Sequence, residues 1–104
     1  MTRRWVTVAT VGEIPPGGVK VVRLDDQPLA VFHVDGVHHV IDDMCTHDGG
    51  ELASGTVNGH EIECPRHGAR FDLATGAALC MPATAPVARY PVRIESGQVQ
   101  VEWS

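Results

Sequence analysis

Cys45-Thr46-His47-Asp48-Gly49-Gly50 and Cys64-Pro65-Arg66-His67-Gly68 are the two stretches from which the rest of the chain is read. Each clip offers one thiolate and one imidazole, and sixteen residues lie between His47 and Cys64. Two sulfur and two nitrogen donors suit a sulfide-bridged pair of irons with cysteines on one iron and histidines on the other. The same four side chains could instead hold one tetrahedral zinc. Zinc modules usually pair Cys with Cys and His with His, whereas each clip here mixes the two, and neither clip lies in a helix-forming context. A set of satisfied core cysteines and histidines is the third reading.

The run continues from Cys64 through Ala69-Arg70-Phe71-Asp72, and taken together the two clips resemble the Rieske [2Fe–2S] proteins. The resemblance implies one Rieske-type cluster with Cys45, His47, Cys64 and His67 as its cofactor-binding, metal-ligating residues. It implies an all-β fold, an antiparallel β-sandwich base carrying an inserted cluster-binding subdomain. It also implies that His47 and His67 each ligate through one ring nitrogen and expose the other, the natural exit for an electron. Gly49, Gly50 and Gly68 would let backbone approach the cluster and aim N–H groups at its sulfurs, and Pro65 would stiffen the second loop. Met81-Pro82-Ala83-Thr84-Ala85-Pro86 resembles the family's third, proline-containing loop.

Two departures place the chain within that family. Respiratory members carry an extra cysteine in each loop, and these pair in a disulfide; here Arg66 holds the second position and Gly49, Gly50 and Glu51 follow His47. Those members also carry hydroxyls that bond to the cluster, at positions matching Ala69 and Phe71. A donor aimed at the cluster stabilises the added negative charge of reduction, so its absence implies a potential near the bottom of the Rieske range, about −150 mV. The resemblance is therefore to the short ferredoxins of bacterial aromatic-ring dioxygenase systems. It implies a soluble, low-potential one-electron carrier and not an enzyme. Its partners would be an NADH-dependent flavin reductase and a terminal Rieske non-haem iron oxygenase. The small subunit of a nitrite reductase, a ferredoxin of iron–sulfur assembly and a zinc-stabilised interaction module are the other readings.

Composition agrees with one small globular domain spanning 1–104. Forty-three per cent of the residues are apolar and 20% charged, ordinary values for a packed domain. Three cysteines are an odd number, which argues against a pure disulfide framework and for a reduced, metal-binding setting. The N-terminus, Met1 to Val8, has basic residues but no continuous apolar stretch, and nothing later approaches a membrane span. The expectation is a cytoplasmic monomer with no membrane and no nucleic-acid partner. The net charge is −5, and the excess falls in residues 42–85. There Asp42, Asp43, Asp48, Glu51, Glu61, Glu63 and Asp72 face only Arg66 and Arg70. Charge of one sign steers association, so this segment is expected to dock basic partners.

The remaining residues read as strands. Val6 and Val8 alternate with Thr7 before Pro15-Pro16-Gly17-Gly18, and Val19–Leu24 forms a second run. Leu29–Val34 and Val37–Ile41 flank Asp35-Gly36, a pair suited to a type I′ hairpin turn. A second hairpin is expected about Asn58-Gly59. A third runs from Tyr90–Ile94 through Ser96-Gly97 to Val99, Val101 and Trp103. The base then comprises about 1–41 and 86–104, and the cluster-binding subdomain about 42–85. Cys80 is expected to be a small core residue. His38 and His39 should point to opposite faces of one strand, and they, His33 and His60 are expected at the surface. No convincing helix, nucleophile–base pair, phosphate loop or basic aromatic stripe is found.

Overall fold

The computed structural model describes residues 3–46, 50–65, 68–81 and 85–103. His47 and His67, with Asp48, Gly49, Arg66 and the Pro82–Thr84 part of the third loop, lie outside the described residues.

Among the described residues, ten strands form three antiparallel sheets. The first joins β1 (Arg4–Thr10), β10 (Gln98–Trp103) and β9 (Val92–Glu95) in that order. The second joins β2 (Val19–Leu24), β3 (Gln27–Val34), β4 (Val37–Asp42) and β8 (Arg89–Tyr90). The third joins β5 (Thr56–Asn58), β6 (Glu61–Glu63) and β7 (Arg70–Asp72). One short 3₁₀ turn, Leu52–Ser54, precedes β5.

The turn chemistry explains most of the connections. Asp35 and Gly36 sit at φ 50° and 78°, and Ser96 and Gly97 at 50° and 76°. Two successive left-handed residues twist a two-residue loop in the sense of its flanking strands. Asp25 and Asp26 do the same at φ 52° and 65°, joining β2 to β3; Asp tolerates this region better than most residues. The middle hairpin is shifted one residue from the sequence expectation. Asn58 pairs with Glu61, so Gly59-His60 forms the loop.

β3 organises the packing because side chains alternate across a strand and both of its faces are covered. Leu29 and Val31, with Val40 of β4, enter one core with Val8, Ala9, Ile14, Val99 and Val101. Ala30, Phe32 and Val34, with Ile41, enter a second core with Cys45, Leu52, Ile62, Cys64, Ala69, Phe71, Leu73 and Val87. The sandwich base and the smaller third sheet therefore meet on opposite sides of a single strand. Phe32 and Phe71 are both fully buried in the second core, each worth about 1.5–3 kcal/mol relative to exposure. A register shift between Thr7 and Ala9 in β1 turns both Val8 and Ala9 inward, where strict alternation would expose one of them.

Pro91 divides what the sequence suggests as one strand. Tyr90 pairs with Val40 of the second sheet, and Val92 pairs with Val101 of the first. Proline has no N–H for a ladder, so the chain changes sheets there. Gly76 marks a second constraint: its φ is +82°, and a Cβ at that position would run into the Val87 carbonyl. No helix among the described residues is long and apolar enough to cross a membrane.

Candidate metal centre

The two cysteine loops are built alike. The Cys45 N–H donates to the Gly50 carbonyl at 2.7 Å, and the Cys64 N–H donates to the Ala69 carbonyl, also at 2.7 Å. Each bond closes a six-residue loop that starts at a cysteine and contains one histidine in its sequence. The second loop is tightened by a bond from the Gly68 N–H to the Cys64 carbonyl at 3.2 Å, with Gly68 at φ +76°. A left-handed residue at that point suits glycine.

Both cysteines are 1% exposed and belong to the same apolar core. Ala69 and Phe71, the positions without hydroxyls, are fully buried in that core with them. Two soft sulfur donors screened from water by Leu52, Ile62 and Phe71 suit a thiolate-ligated iron site, because a dry shell controls the potential of the metal it encloses. The donor chemistry fits a [2Fe–2S] cluster.

The first loop is held from below by Asp43, a residue that is only 6% exposed. Its carboxylate accepts the Ala53 N–H at 2.7 Å, and its own N–H donates to the Pro28 carbonyl at 3.0 Å. Next to it, Asp42 accepts the Tyr90 hydroxyl at 2.6 Å. Burial, then the bond to Asp42, pushes the Tyr90 phenol well above its ordinary pKa. Thr46 donates its hydroxyl to the Ala85 carbonyl at 2.7 Å. Sequence reading missed Thr46, Asp43 and Tyr90, whose partners lie 39, 10 and 48 residues away. No local pattern signals such pairs.

The other candidates depart from expectation in part. Cys80 is half-buried rather than a core residue, and its Sγ donates to the Gly68 carbonyl at 3.5 Å. His38 and His39 do face opposite sides of β4. His38 stacks on His33 with ring centroids 4.4 Å apart, and His39 meets His60 edge-on at 6.1 Å. Both are half-buried, and neither Nε2 has a hydrogen-bond partner among the described residues. Desolvation pushes both rings below the ordinary histidine pKa. His60 is exposed, with its Nε2 3.5 Å from the Asp35 carboxylate.

An all-β domain with two matched loops, each placing a buried cysteine in one apolar core, is a setting that suits a thiolate-ligated metal centre. Residues 4–91 match the Rieske [2Fe-2S] domain model, and the chain belongs to that family. Its cofactor is one Rieske-type [2Fe–2S] cluster. The ferredoxin component of the naphthalene 1,2-dioxygenase system of Pseudomonas aeruginosa is 40% identical over 104 residues, covering 100% of each chain. The Sphingomonas yanoikuyae B1 ferredoxin superposes with a TM-score of 0.91 at 38% identity, covering 97% of this chain and 100% of that one. A chain of the complex of reduced oxygenase and oxidized ferredoxin in carbazole 1,9a-dioxygenase gives a TM-score of 0.88 at 36% identity, covering 93% and 91%.

Proposed function

We propose that Cys45 and Cys64 ligate one iron and His47 and His67 the other, and that the protein is the electron carrier of an aromatic-ring dioxygenase system. The observation that carries the ligand assignment is the pair of equivalent loops, each closed by a 2.7 Å bond from a buried cysteine. The likeness over the whole chain to a naphthalene dioxygenase ferredoxin supports the setting. When bound, the cluster supplies a single electron at low potential. The residues of the chain hold it and exclude water from its sulfurs, and His47 and His67 are read as the exit for the electron.

In this reading a flavin-dependent, NADH-fed reductase supplies the electron, and a terminal oxygenase with its own Rieske cluster and non-haem iron receives it. The protein catalyses no reaction itself. It is a cytoplasmic monomer, a single domain over 1–104. The third sheet, which among the described residues shares no strand ladder with the other two, supports a division into a base of about 1–41 and 86–104 and a cluster-binding part of about 42–85.

The test begins with iron and acid-labile sulfide in the purified protein, expected in equal amounts. Alanine at Cys45, His47, Cys64 or His67 is expected to abolish the reddish-brown colour, while Cys80→Ser keeps it. The protein should then restore NADH-driven dihydroxylation to a reductase and an oxygenase that are inactive together without it. Zinc in place of iron, or a colourless but folded Cys80→Ser variant, would remove the ligand assignment.

A further inference from the structure

The first and second sheets part at Pro91, and the parting leaves a cavity. Tyr90 is paired to Val40 in the second sheet and Val92 to Val101 in the first. Pro91 between them has no N–H to give to either ladder. Its carbonyl accepts the Glu102 N–H at 3.0 Å, which ties the crossing to β10. In this seam lies a cavity of about 230 Å³, lined by Arg3, Arg89, Tyr90, Pro91, Glu102 and Trp103. None of these residues belongs to the cysteine loops.

Most polar groups of the lining already have partners. The Tyr90 hydroxyl donates to Asp42 at 2.6 Å, and the Trp103 Nε1–H donates to Asp25 at 2.8 Å. The two rings, tilted at 43° with centroids 5.4 Å apart, therefore bring apolar surface and no spare donor. Glu102 is held by Arg3 at 2.7 Å. Arg89 differs, because among the described residues its guanidinium has no hydrogen bond or salt bridge. Two guanidiniums against one carboxylate make the lining cationic, on a chain whose net charge is −5. The seam thus offers flat apolar walls and one uncommitted cation.

Size narrows the occupant. An apolar cavity of about 150 Å³ takes up one benzene, and sites for drug-sized molecules begin near about 300 Å³. The seam lies between the two, with room for one ring and a small substituent. A guanidinium matches a carboxylate through two parallel N–H···O bonds. We propose that the seam at Pro91 binds a small aromatic carboxylate of the benzoate class, its ring against Tyr90, Pro91 and Trp103 and its carboxylate on Arg89. A neighbouring cavity of about 250 Å³ shares Arg89 and Tyr90, but has His39, Leu73 and Ala74 where the seam has Pro91 and Trp103. The indole and the pyrrolidine ring favour the seam. Binding there involves no electron transfer and does not depend on the metal centre.

The test is a titration of ¹⁵N-labelled full-length protein with benzoate, benzamide, cyclohexanecarboxylate and inorganic phosphate. The Trp103 indole N–H reports on the seam, and the Leu73 and Ala74 amides report on the neighbouring cavity. Benzoate is expected to shift the Trp103 signal with a dissociation constant on the order of 1 mM. Benzamide keeps the ring without the charge, and cyclohexanecarboxylate keeps the charge without the flat ring. Each should bind at least about threefold more weakly than benzoate, and phosphate should not displace it. Arg89→Gln should weaken benzoate about fivefold or more and leave benzamide within about twofold of wild type. Arg89→Lys, which keeps the charge and loses the fork, should fall between.

A Trp103 signal that does not move by about 20 mM benzoate, or phosphate that competes as well as benzoate binds, would overturn the proposal. So would an Arg89→Gln protein that loses benzoate and benzamide alike, or shifts confined to Leu73 and Ala74. Should the Arg89 variants fail to fold, the wild-type titration is repeated at about 0.02 M and about 0.5 M salt. Benzoate should then bind more weakly at high salt while benzamide holds, and equal behaviour of the two ligands overturns the assignment of the carboxylate to Arg89.

Discussion

A serine at position 69 puts a hydroxyl where the respiratory branch of the family has one, and the surroundings of Ala69 set what it should do. Ala69 is fully buried in the core that holds both cysteines, and its carbonyl already accepts the Cys64 N–H at 2.7 Å. Its backbone is therefore fixed against the second ligand loop, and among the described residues of that core an added Oγ–H finds sulfur and backbone acceptors. A hydrogen bond to a charged acceptor is worth about 1.5–3 kcal/mol, against roughly 0.5–1.5 for a neutral one. Reduction adds one negative charge to the site, so the donor gains strength in the reduced state by the difference, on the order of 1.4 kcal/mol. That is a tenfold change in equilibrium, about 59 mV for a one-electron couple. Ala69→Ser should thus raise the midpoint from about −150 mV towards about −90 mV, read by protein-film voltammetry. The same variant carries an internal control. A hydroxyl that finds no acceptor costs about 1–3 kcal/mol of stability, which lowers the Tm of a domain this size by several degrees. A stability loss with a midpoint moved by less than about 10 mV would refute the reasoning, because the hydroxyl would be buried yet silent. A wild-type midpoint well above zero would refute the low-potential assignment outright.

Three further outcomes are expected. Electron transfer with at least one partner should slow steadily as salt rises, since the Debye length falls from about 8 Å at 0.15 M to about 3 Å at 1 M; neutralising Asp48 and Glu51 should lower the on-rate more than neutralising Asp25 and Asp26, and equal effects would move the docking face elsewhere. Folded His38 and His39 bind protons less readily than the unfolded chain, so their contribution to stability is present above a pH of about 6.5 and is lost as pH falls below it; a His38→Gln, His39→Gln protein should show a flatter dependence of Tm between pH 7.5 and pH 5.5, and an unchanged slope would contradict this. Asp43→Ala leaves the Ala53 N–H without its carboxylate at a site that is 6% exposed, and should cost about 1–3 kcal/mol in urea unfolding, whereas Asp43→Asn keeps an acceptor and most of the stability.

Much of this was legible because it is local. Asp35-Gly36 and Ser96-Gly97 mark their hairpins by residue type alone, and the two clips announce their chemistry through donor identity and order. Asp25-Asp26 turns the same way without a glycine, so the signal is absent although the geometry is present. β7 is three residues with one apolar side chain, Phe71, and it becomes a strand only because Ile62 lies opposite; no period can be read from Arg70-Phe71-Asp72. The run Tyr90–Ile94 looks continuous because each residue around Pro91 favours extended backbone. Which sheet each half joins depends on Val40 and Val101, fifty residues upstream of Tyr90 and nine downstream of Val92. At the site, residue types pointed to the thiols as metal ligands, whereas their burial in one apolar core follows from the fold. The contacts that brace the loops, Thr46 to Ala85 and Cys80 to Gly68, follow from the folded path of the chain. His47 and His67 were named from the sequence, and their positions lie outside the described residues.

The two-sided burial of β3 decides how far the cluster-binding part can be treated as a portable module. Residues between β4 and β8 begin and end on adjacent strands, Ile41 opposite Arg89, so their two ends could be spliced into another antiparallel scaffold with little change in span. What does not travel with them is the floor made by Ala30, Phe32, Val34 and Ile41, which completes the core around Cys45 and Cys64. A graft onto a host strand pair must reproduce that small–large–medium relief on one face while leaving the host's own core on the other. Chimaeras that copy the loops and neglect the floor would expose the sulfurs to water. Four substitutions in the host, rather than any lengthening of the insert, are therefore where such an engineering effort should begin.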